Sequence, residues 1–214
     1  MKNYNNTILR HILFIYVIAM SAVPTITSAH ENILNINRGF NSWNERQFTI
    51  NGANIELEKQ YGIPGFSYTF LFRKGLAITV GFEYGSIDLV ADSSTNTFDS
   101  YAGFGRINNI HTQGRYYFSS SKFRPYIGAG VGYDDITIHA SGYKTDANAE
   151  LYGLAYSASL GIDTEIYDRL GVILEYKHNK ISLHDTAANK ISTSSREIIL
   201  SIRIRVGHKH DTFR

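Results

Sequence analysis

The sequence predicts an all-β chain, an eight-stranded antiparallel up-and-down transmembrane β-barrel, from three observations. Residues 152–166 alternate almost without fault. Tyr152, Leu154, Tyr156, Ala158, Leu160, Ile162 and Ile166 share one face, with Thr164 the exception, and small or acidic residues from Gly153 to Glu165 share the other. The segment's fifteen residues exceed the roughly 5 to 6 of an ordinary globular strand. They suit a strand that crosses a bilayer in ~9 to 11 residues and continues beyond it. The links between such segments alternate short and long, and the chain opens with an export signal.

Residues 1–29 carry Lys2, Arg10 and His11, an apolar run over 12–23, then Pro24 and a small-residue end at Ala29, the layout of a secretory signal peptide. The run is shorter than the ~20 apolar residues of a spanning helix. Cleavage after Ala29 leaves a mature chain starting at His30, with the barrel over 30–206 and a short tail over 207–214.

The first strand is read at about 47–58, irregular, with a change of phase at 51–53 where Gly52 suits a bulge. The second, 66–72, aligns Phe66, Tyr68, Phe70 and Phe72, and the third, 76–84, sets Leu76, Ile78, Val80, Phe82 and Tyr84 against Ala77, Thr79, Gly81 and Glu83. The fourth, about 106–118, opposes Ile110, Tyr116 and Phe118 to His111, Gln113 and Arg115. In the fifth, 124–138, Ile127, Ala129, Val131 and Tyr133 face away from Gly128, Gly130 and Gly132. The sixth is 152–166. The seventh, about 170–183, aligns Val172, Leu174 and Tyr176, and the eighth, 196–206, puts Ile198, Leu200, Ile202, Ile204 and Val206 opposite Glu197, Ile199, Ser201, Arg203 and Arg205.

Short links at 73–75, 119–123 and 167–169 alternate with long polar ones at 88–101, 139–150 and 184–195 and a shorter first one at 59–64. An even number of strands, with both chain ends on the short-turn side, is outer-membrane barrel architecture. Closure also pairs every backbone group, as lipid requires. The competing reading is a soluble sandwich or lipocalin-like barrel with its apolar faces inward. The Gly128, Gly130 and Gly132 face suits a crowded lumen better than a solvated surface.

Removing 1–29 takes away Lys2 and Arg10 of the 21 basic residues and none of the 19 acidic ones, leaving 19 against 19. A neutral mature chain is not expected to bind nucleic acid, which selects for clustered positive charge. The absence of cysteine removes disulfides and thiolate metal sites. Mean hydropathy is −0.20, and no later run approaches the 18 apolar residues of a membrane helix.

The run FRPYIGAGVGYDD at 123–135, preceded by QGRYYFS at 113–119, resembles the central hairpin of small outer-membrane β-barrel proteins of the OmpW and opacity-type (OmpA-like β-barrel) group. Residues 152–181 look like the hairpin that follows. The resemblance implies an eight-stranded barrel in the outer membrane of a didermic bacterium, with outer-membrane lipid and the barrel assembly machinery as partners. Such barrels usually end on a C-terminal aromatic, whereas this chain continues past Val206 and its Phe213 falls in the opposite phase.

Chemistry is sought in the lumen. Counted from the short turns, Arg115, Asp163, Glu165, Glu175 and Arg203 fall at similar lower levels, with Glu83, His111 and Lys177 about one layer higher and Arg205 on the same inward face. Mixed charge in a narrow lumen reads as a salt-bridge plug, because breaking a buried pair costs roughly 3 to 5 kcal/mol. This register predicts that Arg203 and Glu175 are in contact or one residue apart. Phe72, Phe118, Phe123 and Tyr167 near the short turns, and Tyr84, Tyr133, Tyr152 and Tyr176 toward the long loops, read as two interfacial aromatic belts.

Some eight-stranded barrels similar to this group are lipid A deacylases or palmitoyltransferases, and the deacylase type carries a His-x-Ser-Asn string in which His activates Ser. The nearest match, His178 to Ser182, has Lys180 at the nucleophile's place, and His184 with Asp185 near Ser182 or Ser192 is a looser set. His208 and His210 are too few ligands for a metal site. The expected function is therefore non-enzymatic, without cofactor or metal. The barrel is read as a monomer that supports the membrane and contacts a host surface through its long loops, with a narrow pore for small or hydrophobic solutes as the alternative.

Overall fold

Among the described residues, period-two patterning is realised as ten antiparallel strands: β1 (Glu31–Trp43), β2 (Gln47–Ile50), β3 (Ala53–Leu57), β4 (Gln60–Leu71), β5 (Leu76–Ala91), β6 (Ala102–Tyr117), β7 (Phe123–Ser141), β8 (Asp146–Glu165), β9 (Leu170–Asp185) and β10 (Lys190–Val206). The structure is a computed structural model and describes residues 31–43, 47–50, 53–57, 60–91, 102–141, 146–185 and 190–206. The signal segment, the 207–214 tail with Phe213, His208 and His210, and most of the 88–101 link lie outside the described residues.

Eight of the strands close into an up-and-down barrel in the order β5, β4, β1, β10, β9, β8, β7, β6, with β6 returning to β5. A row of register partners measures the stagger. It runs from Arg196 through His178, Ala158, Ala129, Gly114, Ile78, Phe70 and Asn32, and re-enters β10 at Val206, ten residues along. With a rise of ~3.3 Å and a strand spacing of ~4.8 Å, that shear tilts the strands by about 41° and sets a barrel radius of about 8 Å. Such a lumen is filled by side chains.

One strand differs from the sequence reading. The segment 47–58 is not a barrel strand but two short ones: β2 turns back on β3, and β3 adds to the upper edge of β5 through Ile55, Glu56 and Leu57. The barrel strand is β1, paired with β4 and β10. Its alternation is weak because Asn35 and Asn37 point inward while Arg38 interrupts the outward row of Leu34, Ile36 and Phe40. The proposed first link at 59–64 belongs largely to β4. The links at 139–150 and 184–195 are mostly strand too, so β7, β8, β9 and β10 rise past the expected loop bases.

The short turns are tightly made. Lys74 and Gly75 take left-handed φ of 66° and 79° in the 3-10 turn between β4 and β5. Phe118 N–H donates to Pro125 O at 2.9 Å, and Ile166 N–H to Leu170 O at 2.9 Å. β1 starts and β10 ends at this side.

The outer wall is apolar: Ile36, Phe66, Ile127, Leu160, Leu174, Leu200 and Ile202 are all more than half exposed. On β10 the outward row from Ile198 to Val206 spans about 20 Å along the axis, close to the ~25 Å apolar band of outer-membrane barrels. Inside, polar residues share the banded region with a buried cluster of Leu71, Ala77, Tyr117, Tyr126 and Ile173, and above them Ile107, Ile136, Ile138, Leu151, Ala155, Ile181 and Leu183 form a larger buried apolar cluster.

Candidate functional site

The lumen is built in three polar tiers, each assembled from residues whose strand parity aims them inward. In the lowest, Glu31 Oε2 accepts hydrogen bonds from Arg124 Nη1 and Arg203 Nη2, both at 3.1 Å. Arg124 Nη2 also donates to Asp163 Oδ2 at 2.8 Å, and Arg203 Nε lies 3.4 Å from Asp163 Oδ1. Arg205 pairs with Glu165 and with Glu31, and donates through Nη1 to Asp168 O at 2.6 Å. Arg203 and Asp163 are wholly buried.

In the middle tier, Arg115 Nη2 donates to Glu175 Oε2 at 2.7 Å, and its Nε donates to Gln113 Oε1 at 2.6 Å. Gln113 Nε2 donates to Glu175 Oε1 at 3.0 Å, and Tyr126 Oη to Glu175 Oε2 at 2.7 Å. The Arg115 guanidinium also lies 4.8 Å from the centre of the Tyr126 ring. The glycine face makes this possible. A Cβ on Gly161 would stand 2.5 Å from Tyr126 Cζ, and one on Gly128 2.7 Å from Ser159 Oγ, the partner of Gln113.

In the upper tier, Lys177 Nζ lies 3.4 Å from Glu83 and 3.6 Å from Glu197 Oε2. His111 Nδ1 bonds Asn109 Oδ1 at 2.8 Å and lies 3.9 Å from Glu83. Asn109 Nδ2 donates to Asp134 Oδ1 at 2.6 Å. Alongside, Asn35, Ser67, Thr69 and Thr79 form an uncharged hydrogen-bonded ladder on β1, β4 and β5. A cavity between the middle and upper tiers has room for about one water molecule, and one above Glu197 for a few.

The structure thus brings Glu83, His111 and Lys177 together, Arg115 with Glu175, and Asp163 and Glu165 with Arg203 and Arg205. The expected contact between Arg203 and Glu175 is absent. Glu175 lies opposite Ile199 and Arg203 opposite Gly171, four residues lower. Counting residues from turns places strands side by side without their stagger, which caused the error. Sequence reading also missed Glu31, Arg124, Glu197 and Asp134. Glu31 sits on the unassigned β1, while Arg124 and Glu197 occupy inward parity and could have been found from it.

Among the aromatic side chains the structure describes, Tyr117 and Tyr126 are buried in the lumen and the others point outward. Phe118, Phe123 and Tyr167 are more than half exposed near the short turns, with Phe72 partly covered. Each step along a register row from β10 toward β5 descends about 3 Å. Correcting for that slope puts Tyr84, Tyr133 and Tyr156 at one height, with Tyr152 ~9 Å above and Tyr176 ~7 Å below. His184, Ser182 and Ser192 face outward, and no hydrogen bond joins that histidine to either serine among the described residues.

No protein-family model matches the chain, and no curated protein is similar to it in sequence. Solved structures are similar in fold. OprG from Pseudomonas aeruginosa, an outer membrane protein, superposes with a TM-score of 0.57 at 11% identity, over 84% of this chain and 98% of that one. Neisserial surface protein A gives 0.53 at 13%, over 82% and 96%. The fold is that of the small outer-membrane β-barrels. Ail, the attachment invasion locus protein of Yersinia pestis, is a third such barrel, with a TM-score of 0.51 at 11% identity over 82% and 97%. Identities this low establish the shared barrel architecture and leave each protein's activity its own.

Proposed function

We propose that the chain is a non-conducting, monomeric barrel of the outer membrane, in which the three polar tiers act as a plug and the raised strands of β7 to β10 carry the surface that meets the outside. The observation that supports this reading most is the lowest tier. Three buried arginines and three carboxylates interlock across β1, β7, β8 and β10, so an ion entering there would have to break several pairs at once. Removing one partner of such a pair costs roughly 3 to 5 kcal/mol. The apolar cluster above the tiers supports it too, since Ile136, Ile138, Leu151 and Leu183 fill the lumen there with buried hydrocarbon. Catalysis has no candidate nucleophile hydrogen-bonded to a base on the described outer rim. Planar-bilayer recording of the purified protein is the test. The reading expects no steps above baseline, and stable conductance from the wild-type chain overturns it in favour of a narrow pore.

A further inference from the structure

The tyrosines of the upper belt ring only part of the barrel. At the height of Tyr84, Tyr133 and Tyr156, the outward positions of β9 and β10 are basic instead. Arg196 stands directly opposite His178 in the register, and Lys180 is the next outward residue along β9, opposite Ser194. All three are exposed, and none has an ion pair with a described residue. The described outward positions of β9, β10 and β1 carry no acid at all, whereas the outer face of β7 and β8 carries Asp135 and Glu150. Arg196 and Lys180 are diagonal neighbours across the two strands, within reach of each other's long side chains, and their like charges repel unless a counter-ion joins them.

Beneath the basic cluster the wall turns apolar at once. Tyr176 and Leu174 lie below His178, and Ile198 and Leu200 below Arg196, the two leucines and Ile198 being about half exposed. On the neighbouring strand Arg38 is exposed between Ile36 and Phe40, opposite Leu200. An outward arginine within the apolar band is destabilising at mid-membrane and much less so if its head reaches the interface. A ligand suited to this surface therefore has an anionic head at the level of the tyrosine belt and acyl chains directly below.

We infer that the outward face of β9, β10 and β1 is a docking site for a phosphorylated glycolipid of the outer leaflet, with its phosphate held by Arg196 and Lys180, hydrogen-bonded by His178, and its acyl chains lying on Leu174, Ile198 and Leu200. Guanidinium and ammonium groups give phosphate short, charge-assisted hydrogen bonds. The inference rests on the outer-membrane placement proposed above.

Purified barrel in detergent is titrated with bisphosphorylated lipid A, with the same lipid stripped of phosphate, and with phosphatidylglycerol, and retained lipid is read by native mass spectrometry. Wild type is expected to bind the phosphorylated form about tenfold or more tightly than the stripped one, as one charged hydrogen bond provides. R196Q/K180Q should lose that preference while R106Q, whose arginine lies over Tyr84 on the far side, keeps it. The site is overturned if wild type does not distinguish the two lipid A forms, if R196Q/K180Q still does, or if phosphatidylglycerol binds as tightly. The wild-type arms need no variant to fold. Cell fractionation tests the placement separately: recovery outside the outer membrane overturns the placement, and lost phosphate discrimination by the purified wild type overturns the site.

Discussion

At the short-turn end of the lumen Glu31, Asp163 and Glu165 meet Arg124, Arg203 and Arg205 charge for charge, whereas at the long-loop end Lys177 and one imidazole face Glu83, Glu197 and Asp134. In the lower tier Asp163 Oδ1 and Arg203 Nε, which lack a hydrogen bond, lie 3.4 Å apart as opposite charges, and Arg203 Nη1 lies 3.7 Å from Glu165 Oε2. Each unpartnered carboxylate oxygen there thus faces a guanidinium, even though Arg124 Nε and Arg205 Nε have no hydrogen-bond partner. In the upper tier Glu197 Oε1 and Asp134 Oδ2 have no hydrogen-bond partner. The difference teaches that burial alone does not define a plug. The lower tier is compensated, so removing any member exposes a buried charge. The upper tier has acid to spare, so removing an acid there relieves repulsion.

That contrast breaks most visibly at Arg203. Arg203→Ala leaves the buried Asp163 and Glu31 short of a cation, and is expected to lose roughly 3 to 5 kcal/mol in urea unfolding from lipid vesicles. A loss below ~1 kcal/mol would remove the reason for treating the lower tier as the seal. Next is the apolar cluster above the tiers, where Leu183 is fully buried. Leu183→Ala should cost roughly 2 to 4 kcal/mol. Because the cluster lies above the apolar band, limited proteolysis should show the upper strands opening first while the membrane portion stays protected.

The middle tier gives a smaller effect. Gly161→Ala drives a methyl into the Tyr126 ring, pushing its hydroxyl from Glu175, and should lose about 1 to 3 kcal/mol in the same urea unfolding. Least affected is the upper tier. Glu197→Gln is expected to change stability by less than about 1 kcal/mol and toward gain, in contrast to Glu175→Gln, which should lose roughly 1.5 to 3 kcal/mol with its charged hydrogen bonds. Equal losses from the two glutamine variants, measured side by side by thermal unfolding, would erase the distinction between compensated and acid-rich tiers.

Much of this was legible in the chain. Parity alone sent Glu83, His111, Arg115, Asp163, Glu165, Glu175, Lys177, Arg203 and Arg205 to one face, because a strand's side chains alternate whatever surrounds them. The turn chemistry at 73–75 and 167–169 and the apolar outer rows were equally local. β1 was not, since its Asn-rich inner face and the outward Arg38 acquire meaning only when β10 and β4 flank them. Without β1 there is no Glu31, and without Glu31 the lowest tier looks short of acid.

What the sequence determined by itself is the strand type, the two-faced pattern and seven of the barrel strands, β4 to β10, since these follow from a period of two and from turn residues, whereas the eighth, β1, was not among the segments that pattern picked out. Which charges touch was decided by tertiary structure alone. Partners across an eight-stranded barrel depend on a ten-residue stagger accumulated over the whole circuit, a closure property that no single strand carries. The same stagger brings Arg196, His178 and Lys180 level with the tyrosine belt and separates Arg203 from Glu175.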